Sequence, residues 1–154
     1  MIETPQIRQT EERNYACLHL TVPRAAIQRA MGPAVREVYG ALAEQGIAPA
    51  GPWFTHHLKR PDAVFDFEIC VPVAAAIGPA GRVRSGVWPA MRVARTVYRG
   101  AYEGLGAAWG EFVAWIGNQG LSEAQDLWER YLVGPESSAN PADWRTELNR
   151  PLVG

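Results

Sequence analysis

Gln45-Gly46-Ile47-Ala48-Pro49-Ala50-Gly51-Pro52-Trp53-Phe54-Thr55-His56-His57-Leu58 reads as a degenerate copy of Gln119-Gly120-Leu121-Ser122-Glu123-Ala124-Gln125-Asp126-Leu127-Trp128-Glu129-Arg130-Tyr131-Leu132, at a constant offset of 74 residues. The match resumes after a short gap. Phe65-Asp66-Phe67-Glu68-Ile69-Cys70-Val71-Pro72-Val73 lies over Trp144-Arg145-Thr146-Glu147-Leu148-Asn149-Arg150-Pro151-Leu152, now offset by 79. Two similar units in a small chain predict a pseudo-twofold domain whose seam forms a central ligand cleft. The copies differ most at Thr55 against Glu129 and at His57 against Tyr131, so chemistry is sought there.

Working outward, the segment Tyr15 to Val22 is strand-like and Pro23 ends it. Ile27, Met31, Val35, Val38 and Leu42 recur at helical spacing, which predicts a helix over 25–45, stopped by Gly46. Strands follow over 53–58 and 64–73. The order recurs in the second half: a strand over 91–98, a helix over 100–118 carrying Leu105, Ala108, Trp109, Phe112, Val113 and Ile116, then strands over 127–132 and 144–152. The expected fold is α+β, a single domain over 1–154 made of duplicated β-α-β-β units with antiparallel sheets and two main helices. Repeat one spans 15–73 and repeat two 91–152. The intervening 74–90 reads as a linker rich in glycine and proline, and its part 78–89 is either a lid over the cleft or a plain loop.

Composition fits a folded globular domain: 154 residues, 47% hydrophobic and 20% charged, with a formal net charge of −1. Positive charge is almost all arginine, Lys59 being the sole lysine, and it is scattered along the chain. Direct nucleic-acid binding is therefore not expected, and the repeats leave no segment for a DNA-binding domain. The polar start, Met1 to Arg13, is no export signal, and no apolar run is long enough for a membrane span, so a cytoplasmic protein is expected. Cys17 and Cys70 stand in different predicted strands and are expected to be buried free thiols.

Candidate chemistry concentrates in few residues. Strand alternation puts Leu127, Glu129 and Tyr131 on one face, and Trp128, Arg130 and Leu132 on the other. A carboxylate among aromatic rings suits a cationic aromatic ligand, through charge and cation–π attraction. A solvated edge-strand glutamate, or one paired with an arginine, is the equal alternative. Glu147 and its mate Glu68 occupy matched places in both halves, which favours an architectural role. Trp109 has core spacing, whereas Tyr102 follows the turn Arg99-Gly100-Ala101 and has access to the cleft. Adjacent His56 and His57 face opposite ways in a strand, and His19 is alone, so no metal site is expected. Neither a nucleophile elbow nor a phosphate or dinucleotide loop is present, and no cofactor is expected.

Four of these segments, in order, resemble the GyrI-like small-molecule-binding domain, the effector-binding domain of AraC-type and MerR-type transcription regulators. They are Phe65 to Val73, Tyr98-Arg99-Gly100-Ala101-Tyr102-Glu103-Gly104-Leu105, Trp128-Glu129-Arg130-Tyr131-Leu132, and Arg145 to Leu152. The resemblance runs from about Tyr15 to the end of the chain. It implies a duplicated β-α-β-β fold with a ligand cleft, a cleft-facing Glu129 that meets cationic or polarised ligands, and pocket aromatics at Tyr102 and Tyr131. Many members carry a DNA-binding domain. Stand-alone members are associated with ligand sequestration, DNA gyrase inhibition or hydrolysis of cyclopropane-bearing genotoxic compounds.

The expected function is binding of an amphipathic, cationic or aromatic small molecule, by Glu129, Tyr131, Tyr102, Trp109 and Glu147 together with Trp53 and His57. In the hydrolase alternative, Glu129 positions or deprotonates a water and Tyr102 or Tyr131 polarises the substrate. The third alternative is a protein modulator resembling a gyrase inhibitor. Oligomeric state is open.

Overall fold

The computed structural model describes residues 2–153. Its elements are β1 (Gln6–Gln9), β2 (Arg13–Pro23), α1 (Ile27–Glu44), β3 (Phe54–His57), β4 (Val64–Val73), β5 (Val83–Trp88), β6 (Arg92–Arg99), α2 (Leu105–Asn118), β7 (Ser122–Glu123), β8 (Leu127–Val133) and β9 (Arg145–Val153). Single turns of 3-10 helix at Arg24–Ala26 and Tyr102–Gly104 lead into the two helices, and a third lies at Pro141–Asp143. The class is α+β with antiparallel strands, as the repeat predicts. The chain divides into two compact units, Glu11–Ala90 on one side, and the segment up to Thr10 together with the chain from Met91 on the other.

In the unit Glu11–Ala90 the strand order is β3-β4-β2-β5. Alternation sends Ala16 and Leu18 of β2, with Phe67, Ile69 and Val71 of β4, to the face covered by α1, where Ala34, Val38, Ala41 and Leu42 meet them. Each large apolar side chain buried in this layer contributes roughly 1.5–3 kcal/mol. In the other unit the order is β1-β6-β9-β8, with β7 against the end of β9. Here Ala94, Tyr98 and Leu148 lie under Ala108, Phe112 and Ile116 of α2.

The duplication holds in detail. Both helices end in the same Schellman turn: Gly46 and Gly120 adopt φ of 69° and 72°, and the next amides, Ile47 and Leu121, bond back to the carbonyls of Leu42 and Ile116. Only glycine takes that left-handed conformation without steric cost. Strand register repeats as well. His56 stands opposite Glu68 and His57 opposite Phe67, while Arg130 stands opposite Glu147 and Tyr131 opposite Thr146.

The main departure from expectation lies in the segment read as a linker. Val83–Trp88 is a strand paired along β2, neither a lid nor a loop. Its glycine misled the reading. An added Cβ on Gly86 would lie 2.3 Å from the Tyr15 ring, so the glycine makes room for an aromatic side chain inside a sheet. The polar start of the chain also forms a strand, β1, fully exposed at an edge where burial is not needed. Cys17 and Cys70 stand opposite each other in register, and both thiols are free and buried. No helix among the described residues is long and apolar enough to cross a membrane.

Candidate functional site

Glu129 sits in the middle of β8. Its cross-strand neighbour is Leu148, a member of the core under α2, so its side chain leaves the sheet on the helix-covered side. That placement buries a carboxylate, which is unfavourable unless donors compensate. Two do: the Trp109 indole N–H donates to Oε2 at 2.6 Å, and the Tyr131 hydroxyl donates to Oε1 at 2.7 Å. Trp109 comes from the second turn of α2, where its ring also packs on Phe112 at 5.7 Å. Tyr131 lies two residues on in the same strand, hence on the same face. Each oxygen of the carboxylate thus accepts one hydrogen bond. The strand and the helix hold the carboxylate at a fixed place between two aromatic rings, and among the described residues neither the solvated glutamate nor the arginine-paired one is found.

Tyr102, in the turn that opens α2, extends the aromatic wall. Its ring stands edge-on to Tyr131 with centroids 6.0 Å apart, and leans on Trp144 at 5.0 Å. Burial, with the charges of Glu136 and Glu129 nearby, pushes its hydroxyl up to about 12, so it stays protonated through the physiological range. Trp144 was not singled out by sequence reasoning. The signal was available, since its repeat mate Phe65 is aromatic too. The Trp144 indole N–H donates to the carbonyl of Ser138, and Ser138 bonds Asp143. The polar loop after β8 is therefore tied down beside the site.

Glu147 lies apart from this constellation. It alternates with Leu148 in β9 and so faces the other side of the sheet, where Arg130 at 3.2 Å and Arg95 at 3.5 Å pair with it and the Asn149 amide donates to it at 3.0 Å. Two arginines and an amide saturate its oxygens, an architectural arrangement. Its mate Glu68 is held likewise, by the Tyr15 hydroxyl, His56 and Cys17. Burial alone would raise the Glu68 carboxyl, but the bonds and charge of these partners, His56 foremost, bring it below its ordinary value. Burial and the neighbouring Glu68 in turn push the Cys17 thiol up to about 11, so it is no ready nucleophile. Trp53 packs against the core under α1. His57 is buried, its ring stacked on Phe67 at 5.1 Å. Both belong to the unit Glu11–Ala90. No group of three or more metal-ligating side chains occurs among the described residues.

The sequence profile of the GyrI-like small molecule binding domain matches residues 3–152. The chain belongs to this family. No curated protein sequence matches it significantly. Among solved structures, it is similar to the EcmrR C-terminal domain at 18% identity and a TM-score of 0.86, covering 97% of each chain. It is similar to EcmrR in its DNA complex at 22% identity and a TM-score of 0.85, where 97% of this chain matches 57% of that one. A hydrolase from Listeria innocua shares 13% identity over 97% of this chain and 91% of its own, with a TM-score of 0.71. SAV2435 bound to tetraphenylphosphonium shares 14% over 99% and 95%, with a TM-score of 0.67. At these identities the likeness establishes the fold, and the domain is a small-molecule-binding one of GyrI-like type.

Proposed function

We propose that this GyrI-like domain binds amphipathic aromatic cations, with Glu129 as the charge partner and Trp109, Tyr131, Tyr102 and Trp144 as the aromatic walls. One observation carries the reading: a buried carboxylate is held by two aromatic donors, with no arginine or lysine among the described residues bonded to it. Both donors are neutral, and an organic cation supplies the charge partner that they do not. Each ring face adds roughly 0.5–2 kcal/mol of cation–π attraction when desolvated. That a protein of this fold has been seen with tetraphenylphosphonium supports this class of ligand.

The decisive experiment is a titration of tetraphenylphosphonium into the wild type and Glu129→Gln. Gln keeps the shape and removes the charge. Loss of one partly buried charge contact costs about 1.5–3 kcal/mol, a weakening of roughly one to two decades. A neutral ligand of similar shape loses much less. Equal affinity of both proteins for the cation removes Glu129 from the site.

A hydrolytic role is the second reading, supported by the protonated Tyr102 hydroxyl beside the same carboxylate. There Tyr102 donates a proton to the departing group, Glu129 orients the attacking water, and the proton that water loses on attack returns to Tyr102. Both Glu129 oxygens already accept hydrogen bonds from the protein, which favours binding over proton abstraction. Product analysis on a strained electrophile with wild type and Glu129→Gln separates the readings, since only a hydrolase loses turnover while still binding a neutral substrate.

A further inference from the structure

We infer that Glu136 is the outer charge partner of the ligand site, and that the site selects aromatic cations carrying a second positive centre, a protonated amine, over monocations. The inference rests on the reading of Glu129 as a ligand contact. It comes from the loop between β8 and β9, and from the place that this loop matches in the other half.

The amides of Ser137 and Ser138 both donate to the Gly134 carbonyl, at 2.9 and 3.1 Å. That turn folds Glu136 back over Gly134. A Cβ added to Gly134 would lie 2.9 and 3.0 Å from the two Glu136 carboxylate oxygens, and 2.9 Å from the Tyr102 hydroxyl. The glycine thus lets both side chains rest on one spot of backbone, where their three oxygens converge. The far end of the loop is fixed to the aromatic wall. There the Trp144 indole N–H donates to the Ser138 carbonyl, and Trp144 itself leans on Tyr102.

The fold makes no use of these oxygens. Glu136 is exposed, and among the described residues none bonds to its carboxylate or to the Tyr102 hydroxyl. Both groups accept hydrogen bonds from an N–H donor. Behind burial, the Glu136 charge raises the Tyr102 hydroxyl more than the Glu129 charge does. Tyr102 therefore links an inner and an outer carboxylate. Its ring meets Tyr131, which holds Glu129, and its hydroxyl lies beside Glu136.

The other half shows what such a place holds. Tyr102 opens the 3-10 turn ahead of α2, and Arg24 opens the matching turn ahead of α1. Trp144 and Phe65 are repeat mates. The Arg24 guanidinium lies over the Phe65 ring, 5.0 Å from its centroid, and donates to the carbonyl of Asp62 in the following loop at 2.7 Å. That half supplies its own cation to an aromatic ring beside an acidic loop. In the second half the ring and the loop acid remain, as Trp144 and Glu136, but a tyrosine stands where the arginine was. A cationic group of the ligand takes the arginine's role.

The test is calorimetric titration, at low salt and neutral pH, of (3-aminopropyl)triphenylphosphonium and butyltriphenylphosphonium. The probes share the aromatic cation, and an ammonium in one replaces the terminal methyl of the other. Wild type is expected to bind the amine about three- to fivefold more tightly. Glu136→Gln should bring that ratio close to one, and Glu136→Lys should invert it. Glu111→Gln removes an exposed carboxylate of α2 in the same unit and should keep the wild-type ratio. A wild-type ratio of one, or a ratio that survives Glu136→Gln, overturns the inference, as does an equal fall of the ratio in Glu111→Gln. Glu129→Gln, run in parallel, should weaken both probes together. Weakening there with a ratio indifferent to Glu136 sinks this inference only. No weakening there, or no binding of either probe by wild type, sinks the Glu129 reading and this inference with it.

Discussion

The two halves place a glutamate at the same position of a long strand, Glu68 and Glu147, and hold each with several donors, Tyr15, His56 and Cys17 in one half and two arginines with Asn149 in the other. They part on the opposite face of the sheet. One half has Thr55, His57 and Phe67 there, a closed packing of a hydroxyl and rings. The other has Glu129, Tyr131 and Thr146, a carboxylate held by aromatic donors beside an unpartnered hydroxyl. A duplicated frame lets one copy keep the core well packed while the other carries charge and polar atoms that a stability-driven core would exclude. Polar features that appear in both copies hold the sheet together, and those that appear in one copy are the candidates for function.

The largest expected effect comes from placing the second half's residue in the first half. Phe67→Thr removes a fully buried ring stacked on His57 and should destabilise by about 3–5 kcal/mol, read as a shift of the urea midpoint. The reciprocal Thr146→Phe forces a ring onto a fully buried position and should cost about 1–3 kcal/mol, and a larger cost than that of Phe67→Thr would break the comparison.

Next is Glu129→Thr, which gives the second half the residue of the first. The Trp109 N–H and Tyr131 hydroxyl lose their acceptor, for about 1–3 kcal/mol of stability, and cation affinity falls by roughly one to two decades. A variant as stable as wild type would show that the donors find partners elsewhere.

Glu68→Gln sharpens the matched side of the comparison. Because the folded Glu68 carboxyl titrates below its ordinary 4.5, its stabilising contribution is present above that pH and lost as pH falls through the folded value. The substitution should cost about 1–2 kcal/mol at neutral pH. It should also flatten the acid limb of the stability profile, and parallel wild-type and variant profiles below pH 4.5 would count against the depressed value.

The smallest effect is expected of Tyr102→Phe. Its stability should stay within about 0.5 kcal/mol and its cation affinity within about twofold, because the ring faces remain. Complete loss of turnover on a strained electrophile, with binding retained, would instead support the hydrolytic reading.

Much of the frame was legible in the residues. Spacing of three and four marked α1 and α2, the glycines at 46 and 120 marked their ends, and the offsets of 74 and 79 matched β3 with β8 and β4 with β9. Alternation alone put Glu129 and Tyr131 on one face. Two features escaped because they depend on partners distant in the chain. Gly86 reads as a loop residue until the Tyr15 ring is found lying over it, and Trp144 reads as an ordinary strand start until it meets Tyr102.

Sequence by itself determined the duplication, the α+β class and the identity of a strand carboxylate, Glu129, that lies over a threonine in the other half. These follow from periodicity and register, which are properties of the chain taken a few residues at a time. Only the tertiary structure decided what that carboxylate meets. Whether Glu129 faced solvent, an arginine or two aromatic donors turned on how α2 lies across β8, and which side of β9 carries Glu147 turned on pairing across three strands. Hydrogen bonds act over a few ångströms, and residues separated by 20 positions, as Trp109 and Glu129 are, come within that range only when the helix is packed.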